Sequence, residues 1–190
     1  MSVLRGFDDT SIAFSYKTDY ELKRAYYLFK LLSYPVLASI GKRLLQFLLS
    51  INFPIGFIIK RTVFAQFCGG ENERDCFRVI NKLHENNISC ILDYSVEGSN
   101  TEADFDKTLN RTLNLIELIR EKSLTSFIVF KPSAVGRFDL YLKKANNETL
   151  NETEVSEWKR IEERFHMICS RARDNSISVL IDAEESWIQN

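Results

Sequence analysis

Residues 127–139 read FIVFKPSAVGRFD: four strand-forming residues that stop at Lys131 and open into a loop holding Pro132, Ser133 and Gly136. A proline disfavours helix at the residue before it, so Lys131 is held extended and aimed along the strand. An apolar run without polar alternation is the pattern of a strand covered on both faces. Two other stretches share it, CILD at 90–93 and SVLID at 178–182. Between the three runs lie segments with a helical period. Phe105, Leu109, Leu113, Ile116 and Ile119 recur at three and four, behind a capping box formed by Thr101 and Asp104. Val155, Trp158, Ile161, Phe165, Ile168 and Ala172 form a second stripe, with charges expected on the other side of that helix. Strands separated by helices of about twenty residues must be parallel and joined by crossovers, which defines an α/β architecture.

Parallel pairing gives the strands one direction, so each delivers its last polar residue to the same rim: Asp93, Lys131 and Asp182. Ligands of parallel α/β folds bind at the carboxyl ends of the strands. Two carboxylates on neighbouring strands keep a lysine protonated, and a compact ammonium is suited to gripping a substrate carboxylate as a point charge. The plainer alternative for each aspartate is a turn former or the cap of the next helix. Glu97, Glu184 and Glu185 read as solvated loop charges, and Arg137 as a surface arginine. His84 and His166 take structural positions on helices, and no His, Ser or Cys dyad supports nucleophilic hydrolysis.

The 190 residues amount to one domain or part of one. With 25 Lys and Arg against 26 Asp and Glu, the formal net charge of −1 supplies no cationic field, so nucleic acid is not an expected partner. Cys68, Cys76, Cys90 and Cys169 form no CxxC pair, and neither a zinc site nor a disulfide framework is indicated. The first twenty residues carry Asp8, Asp9 and Asp19 and no apolar core, so no cleavable signal peptide is expected and a cytoplasmic location fits. Residues 1–70 read as an N-terminal helical segment with Tyr20, Tyr26, Tyr27, Leu31 and Leu32 as its stripe. Its most apolar window, Leu44–Ile59, is shorter than the roughly 20 residues a spanning helix needs and is interrupted by Asn52 and Pro54. It reads as a buried helix pair, with a membrane-surface patch as the alternative. After Gly69 and Gly70, residues 71–190 repeat three αβ units, the first helix carrying Cys76, Phe77, Ile80 and Leu83 on one face.

Three segments in this order, ILDYSVEG (91–98), FIVFKPSAVGRF (127–138) and VLIDAEES (179–186), resemble the first three strands of the proline dehydrogenases. The upstream TVFAQFCGGE (62–71) and the aromatic-rich helical N-terminus are similar to the monofunctional members. The resemblance implies the amino-terminal half of a distorted (βα)8 barrel of TIM type, incomplete after three strands. It also implies FAD at the carboxyl ends of the strands, oxidation of L-proline to Δ1-pyrroline-5-carboxylate, and electrons passed to a membrane quinone at the inner face of the membrane. Lys131 then stands where the family's lysine holds the proline carboxylate. Asp93 matches the aspartate that pairs with a substrate-binding arginine supplied later in the barrel, and Asp182 with Ala183 matches the DAE motif beside the flavin. Later strands bring most flavin ligands, so the 190 residues alone are expected to be inactive, and the open edges of a partial barrel are expected to self-associate. Three rivals stand beside this reading. One is a Schiff-base lyase using a strand-end lysine, and one is a receiver-like signalling module with a phosphorylatable strand-end aspartate. The third is a helical docking or membrane-surface module on residues 1–70.

Overall fold

The computed structural model describes residues 9–93 and 101–189, which divide into two compact units, Met1–Ile88 and Ser89–Asn190. The first unit is helical: α1 (Thr10–Ala13), α2 (Asp19–Leu32), α3 (Pro35–Ser50), α4 (Gly56–Ile59), a π-helical turn at Lys60–Phe64, α5 (Ala65–Phe67) and α6 (Glu73–His84). By its packing α6 belongs here, although its sequence reads as the first step of the αβ repeat. Thr18 caps α2 through a reciprocal capping box with Glu21. Glu21 also accepts from Lys82 Nζ of α6 at 2.7 Å, and Arg24 donates to the Ala65 carbonyl at 3.0 Å. Lys82 is the largest of the influences that hold the Glu21 carboxyl down at about 2.

The expected buried helix pair is not formed. On α2 and α3, Tyr26, Leu44 and Phe47 are 59%, 55% and 60% exposed, and α3 buries no residue. The cause is the distribution of apolar side chains. On α3 they run nearly all round the helix, and one neighbour cannot cover more than one stripe of such a surface. Among the described residues, no helix is long and apolar enough to cross a membrane.

The second unit is α/β: α7 (Glu102–Lys122), β1 (Phe127–Phe130), a 3₁₀ turn at Pro132–Ala134, α8 (Phe138–Ala145), α9 (Glu152–Asp174), β2 (Ser178–Ile181) and a 3₁₀ turn at Ser186–Gln189. The two strands pair in parallel with Phe127 opposite Ser178 and Phe130 opposite Ile181. Both long helices start where short polar side chains meet the free amides of the first turn. Thr101 accepts from the Asp104 amide, and Asn151 forms a reciprocal box with Glu154. α7 and α9 pack on each other, and their inner faces, with the sheet and Leu140 of α8, make the core of Phe105, Ile116, Ile119, Ile128, Leu140 and Ile168.

Two sequence expectations are corrected here. The strand expected at 90–93 does not form: residues 88–93 run as irregular backbone, so two strands of the expected three are present among the described residues. A parallel strand has no hydrogen bonds of its own and forms only where a neighbour and burial reward it; Ile88 and Ile91 remain exposed. The loop position Glu97 lies outside the described residues. The second correction concerns α9, where the charges do not all lie opposite the apolar stripe. Arg164 is three residues after Ile161 and four before Ile168, on the inner face, with its side chain only 3% exposed.

Candidate functional site

The parallel register brings Lys131 and Asp182 to one end of the sheet. Each directly follows the last paired residue of its strand, and the Asp182 amide donates to the Phe130 carbonyl at 3.0 Å, extending the ladder one step. Lys131 is extended, φ −97° and ψ 138°, as its position before Pro132 requires. Alternation along the strands puts Ile128 and Phe130 on the face that the helices bury, with the Phe130 ring 5.0 Å edge-on from Phe165 of α9. It puts Phe127, Val129 and Lys131, with Leu180 and Asp182, on the other face, where Phe127 and Leu180 are 40% and 39% exposed. That open apolar face thus ends in a cation and a carboxylate. Asp93 is exposed and sits on the irregular 88–93 run, so the sheet does not carry it. Ala183 is exposed beside Asp182.

The loop after Lys131 is held closely. Pro132, Ala134, Val135 and Gly136 are all buried. The Tyr141 hydroxyl donates to the Pro132 carbonyl at 2.9 Å, the Ser133 amide and hydroxyl donate to Glu184 at 2.9 and 2.5 Å, and Arg164 Nη1 donates to the Val135 carbonyl at 3.1 Å. Burial first, and Glu184 second, push the Tyr141 phenol above its usual range, so it stays a proton donor. A methyl group at Gly136 would lie 2.5 Å from Ile161 Cδ1 and 3.1 Å from the Tyr141 hydroxyl. Arg137 Nε lies 3.1 Å from a Glu157 carboxylate oxygen as an ion pair without hydrogen-bond geometry.

Sequence reasoning missed three of these side chains. Glu184, read as a solvated loop charge, accepts two hydrogen bonds, and Tyr141 and Arg164 were assigned no role. The available signal for Arg164 was its place within the apolar spacing of α9. Beside the edge of β2 there is also an apolar groove of about 680 Å³ lined by Tyr141, Trp158, Phe165, Cys169 and Ile181. His166 is among its lining residues and is exposed, as is His84. No group of His, Cys, Asp or Glu suited to a metal ion occurs among the described residues.

The second unit is thus α/β, with a lysine and an aspartate on adjacent strand ends at the carboxyl rim of a parallel sheet, the end where ligands of such folds bind. The family profile described as "Proline dehydrogenase" matches residues 76–190. The chain belongs to the proline dehydrogenase family. It is 37% identical over 123 residues to the "Carbapenem antibiotics biosynthesis protein CarD" of Pectobacterium carotovorum subsp. carotovorum, covering 65% of this chain and 33% of that one. It is 24% identical over 220 residues to "Proline dehydrogenase 1, mitochondrial" of Dictyostelium discoideum, covering 95% and 38%. Against "Proline dehydrogenase 1, mitochondrial" of Caenorhabditis elegans it is 32% identical over 109 residues, covering 56% and 18%. The matched regions span no more than 38% of the length of these relatives. No solved structure gives a significant match.

Proposed function

We propose that these residues form the amino-terminal part of the substrate site of an FAD-dependent oxidoreductase that converts L-proline to Δ1-pyrroline-5-carboxylate. The observation that carries the reading is the adjacency of Lys131 and Asp182 at the carboxyl ends of β1 and β2, in a chain of this family. Lys131 holds the substrate carboxylate as a point charge. Asp182 and Ala183 border the cofactor, and Asp93 orients a substrate-binding arginine supplied from elsewhere in the barrel. Phe127 and Leu180, both partly exposed beside these strand ends, offer apolar surface that a flat aromatic ring could cover, so the residues present are compatible with a flavin. When bound, FAD supplies the hydride acceptor. The chain's own part is orientation, and fixing one end of a reactant supplies only a part of the ~7–11 kcal/mol that full positioning can be worth.

In the same reading the two strands belong to a (βα)8 barrel, and the 190 residues alone do not turn over proline. Their open sheet face self-associates. A membrane quinone takes the electrons, and the exposed apolar surface of α3, with Lys42 and Arg43 in its midst, makes a peripheral contact with the inner face of the membrane. The lyase and receiver readings have no observation in their favour beyond single strand-end residues. A second reading does: the 37% identity to CarD favours a role in making a carbapenem-type metabolite at the same site. Disruption of the gene separates the two, since the first predicts lost growth on proline and the second lost antibacterial activity with growth on proline intact.

The biochemical test joins the 190 residues to the C-terminal remainder of the Dictyostelium relative and records the flavin spectrum. Bleaching by L-proline without oxygen is expected; a bound flavin that L-proline leaves oxidised refutes the assignment.

A further inference from the structure

We propose that Glu184, acting through Ser133, is a positioning residue that fixes the direction of Lys131 relative to Asp182. The inference rests on the reading of Lys131 as the carboxylate-binding group. Besides the ion pair of Arg137 with Glu157, the loop 131–137 is tied at Pro132, Ser133 and Val135, and these three ties come from three different segments. Tyr141 of α8 holds the Pro132 carbonyl, Arg164 of α9 holds the Val135 carbonyl, and Glu184 holds both the amide and the hydroxyl of Ser133.

The three ties are not equivalent. Tyr141 and Arg164 bind the loop to the helices behind the sheet. Glu184 is two residues past Asp182 on the loop leaving β2, so its contact spans the two strand ends at the place where the ladder stops at Phe130 and Asp182. A carboxylate accepting two bonds from one residue fixes an orientation as well as a distance. Ser133 is joined to Lys131 through Pro132, whose ring removes one backbone rotation, and the Ala134 amide closes the turn on the Lys131 carbonyl at 3.1 Å. Holding Ser133 therefore holds the peptide planes that aim the Lys131 side chain, and it holds them against the strand that bears Asp182. An acid merely solvated on a loop has no reason to meet both donors of one serine.

The test uses the 190-residue chain without flavin or proline, so its outcome is independent of the substrate assignment. Lys131 is followed by side-chain carbon and proton resonances, assigned with K131R, and the residue 133 amide by hydrogen exchange. E184A is expected to speed exchange of that amide by about tenfold or more, the lower end of the scale for one hydrogen bond to a charged group. The Lys131 Hε protons are expected to be inequivalent in the parent chain and to merge into one resonance in E184A. E184Q, which keeps an acceptor, recovers part of both effects; S133A releases the hydroxyl half and S133T restores it. If E184A fails to fold, the S133A and S133T pair decides. Unchanged amide exchange in folded E184A removes the clamp. Faster exchange with Lys131 resonances unmoved makes the contact structural only, which also overturns the proposal.

Discussion

Replacing Arg164 by methionine tests whether the buried face of α9 depends on its one guanidinium. Arg164 donates to Asp106 at 2.8 and 3.0 Å, to Glu102, and to the Val135 carbonyl at 3.1 Å, and it lies over the Phe105 ring at 5.5 Å. The two acids are 60% and 41% exposed, so they rehydrate when the arginine goes, and their loss costs about 0–1 kcal/mol. The Val135 carbonyl has no such recourse. Val135 is fully buried, and a buried acceptor without a donor costs about 1–3 kcal/mol. Methionine fills most of the volume and relieves the desolvation of a charge, an offset that is smaller here because half of the network already faces water. The net expectation is a loss of about 2 kcal/mol, which lowers the melting temperature of a unit of this size by about 10 °C. Both tryptophans, Trp158 and Trp187, belong to the second unit, so their emission during urea or thermal unfolding reports on it without interference from the helical unit. Arg164→Lys, which keeps the charge but not the planar fork, falls between, and Glu102→Gln costs under about 1 kcal/mol. An Arg164→Met protein within about 0.5 kcal/mol of the parent refutes the reasoning, because the Val135 carbonyl then needs no donor.

Gly136→Ala puts a methyl group 2.5 Å from the buried Ile161 side chain and destabilises the second unit by about 1–3 kcal/mol, measured by the same tryptophan emission. Tyr141→Phe leaves the Pro132 carbonyl without its donor and costs about 1 kcal/mol in urea unfolding. The Glu21 carboxyl is depressed from 4.5 to about 2 in the folded chain, so its contribution is complete above pH 4.5 and is lost as pH falls toward 2. Circular dichroism of Glu21→Gln is therefore expected to lose part of the acid-dependent helix change in that window, by less than about 1 kcal/mol because the pair is largely solvated. In the chimera with the Dictyostelium remainder, Lys131→Met raises KM for L-proline about tenfold or more with kcat less affected, as removal of a charged ground-state contact does.

What the sequence made legible was local. The stripes of α7 and α9, the cap at Thr101 and the extended Lys131 before Pro132 follow from spacing and from the chemistry of single residues, whereas the cap at Asn151 went unread. The Lys131 and Asp182 adjacency followed from parallel direction alone, which requires no knowledge of side-chain packing. The misses share a different cause. CILD has the composition of a strand, yet strand formation depends on a partner edge that composition does not supply. The apolar residues of α2 and α3 have the period of a buried helix, but period does not say whether a partner covers them. Arg164 and Glu184 are charged residues whose partners lie 58 and 51 positions away in the chain, and such pairs are set only when the helices and strand ends have docked.

The same distinction explains why the two strand ends take their places without the rest of a barrel. A strand end is fixed by two constraints that act over one or two residues, the hydrogen-bond ladder and the conformation imposed by Pro132. Neither depends on how many further strands pair on the open edges. Asp93 has no such protection: its position depends on a strand that the described residues do not form. Lys131 and Asp182 can therefore be placed by this chain alone, and the clamp from Glu184 to Ser133 follows from the same two strand ends. The direction of a cation relative to its neighbouring carboxylate is then a property of two adjacent loops, which can be tested before anything is bound between them.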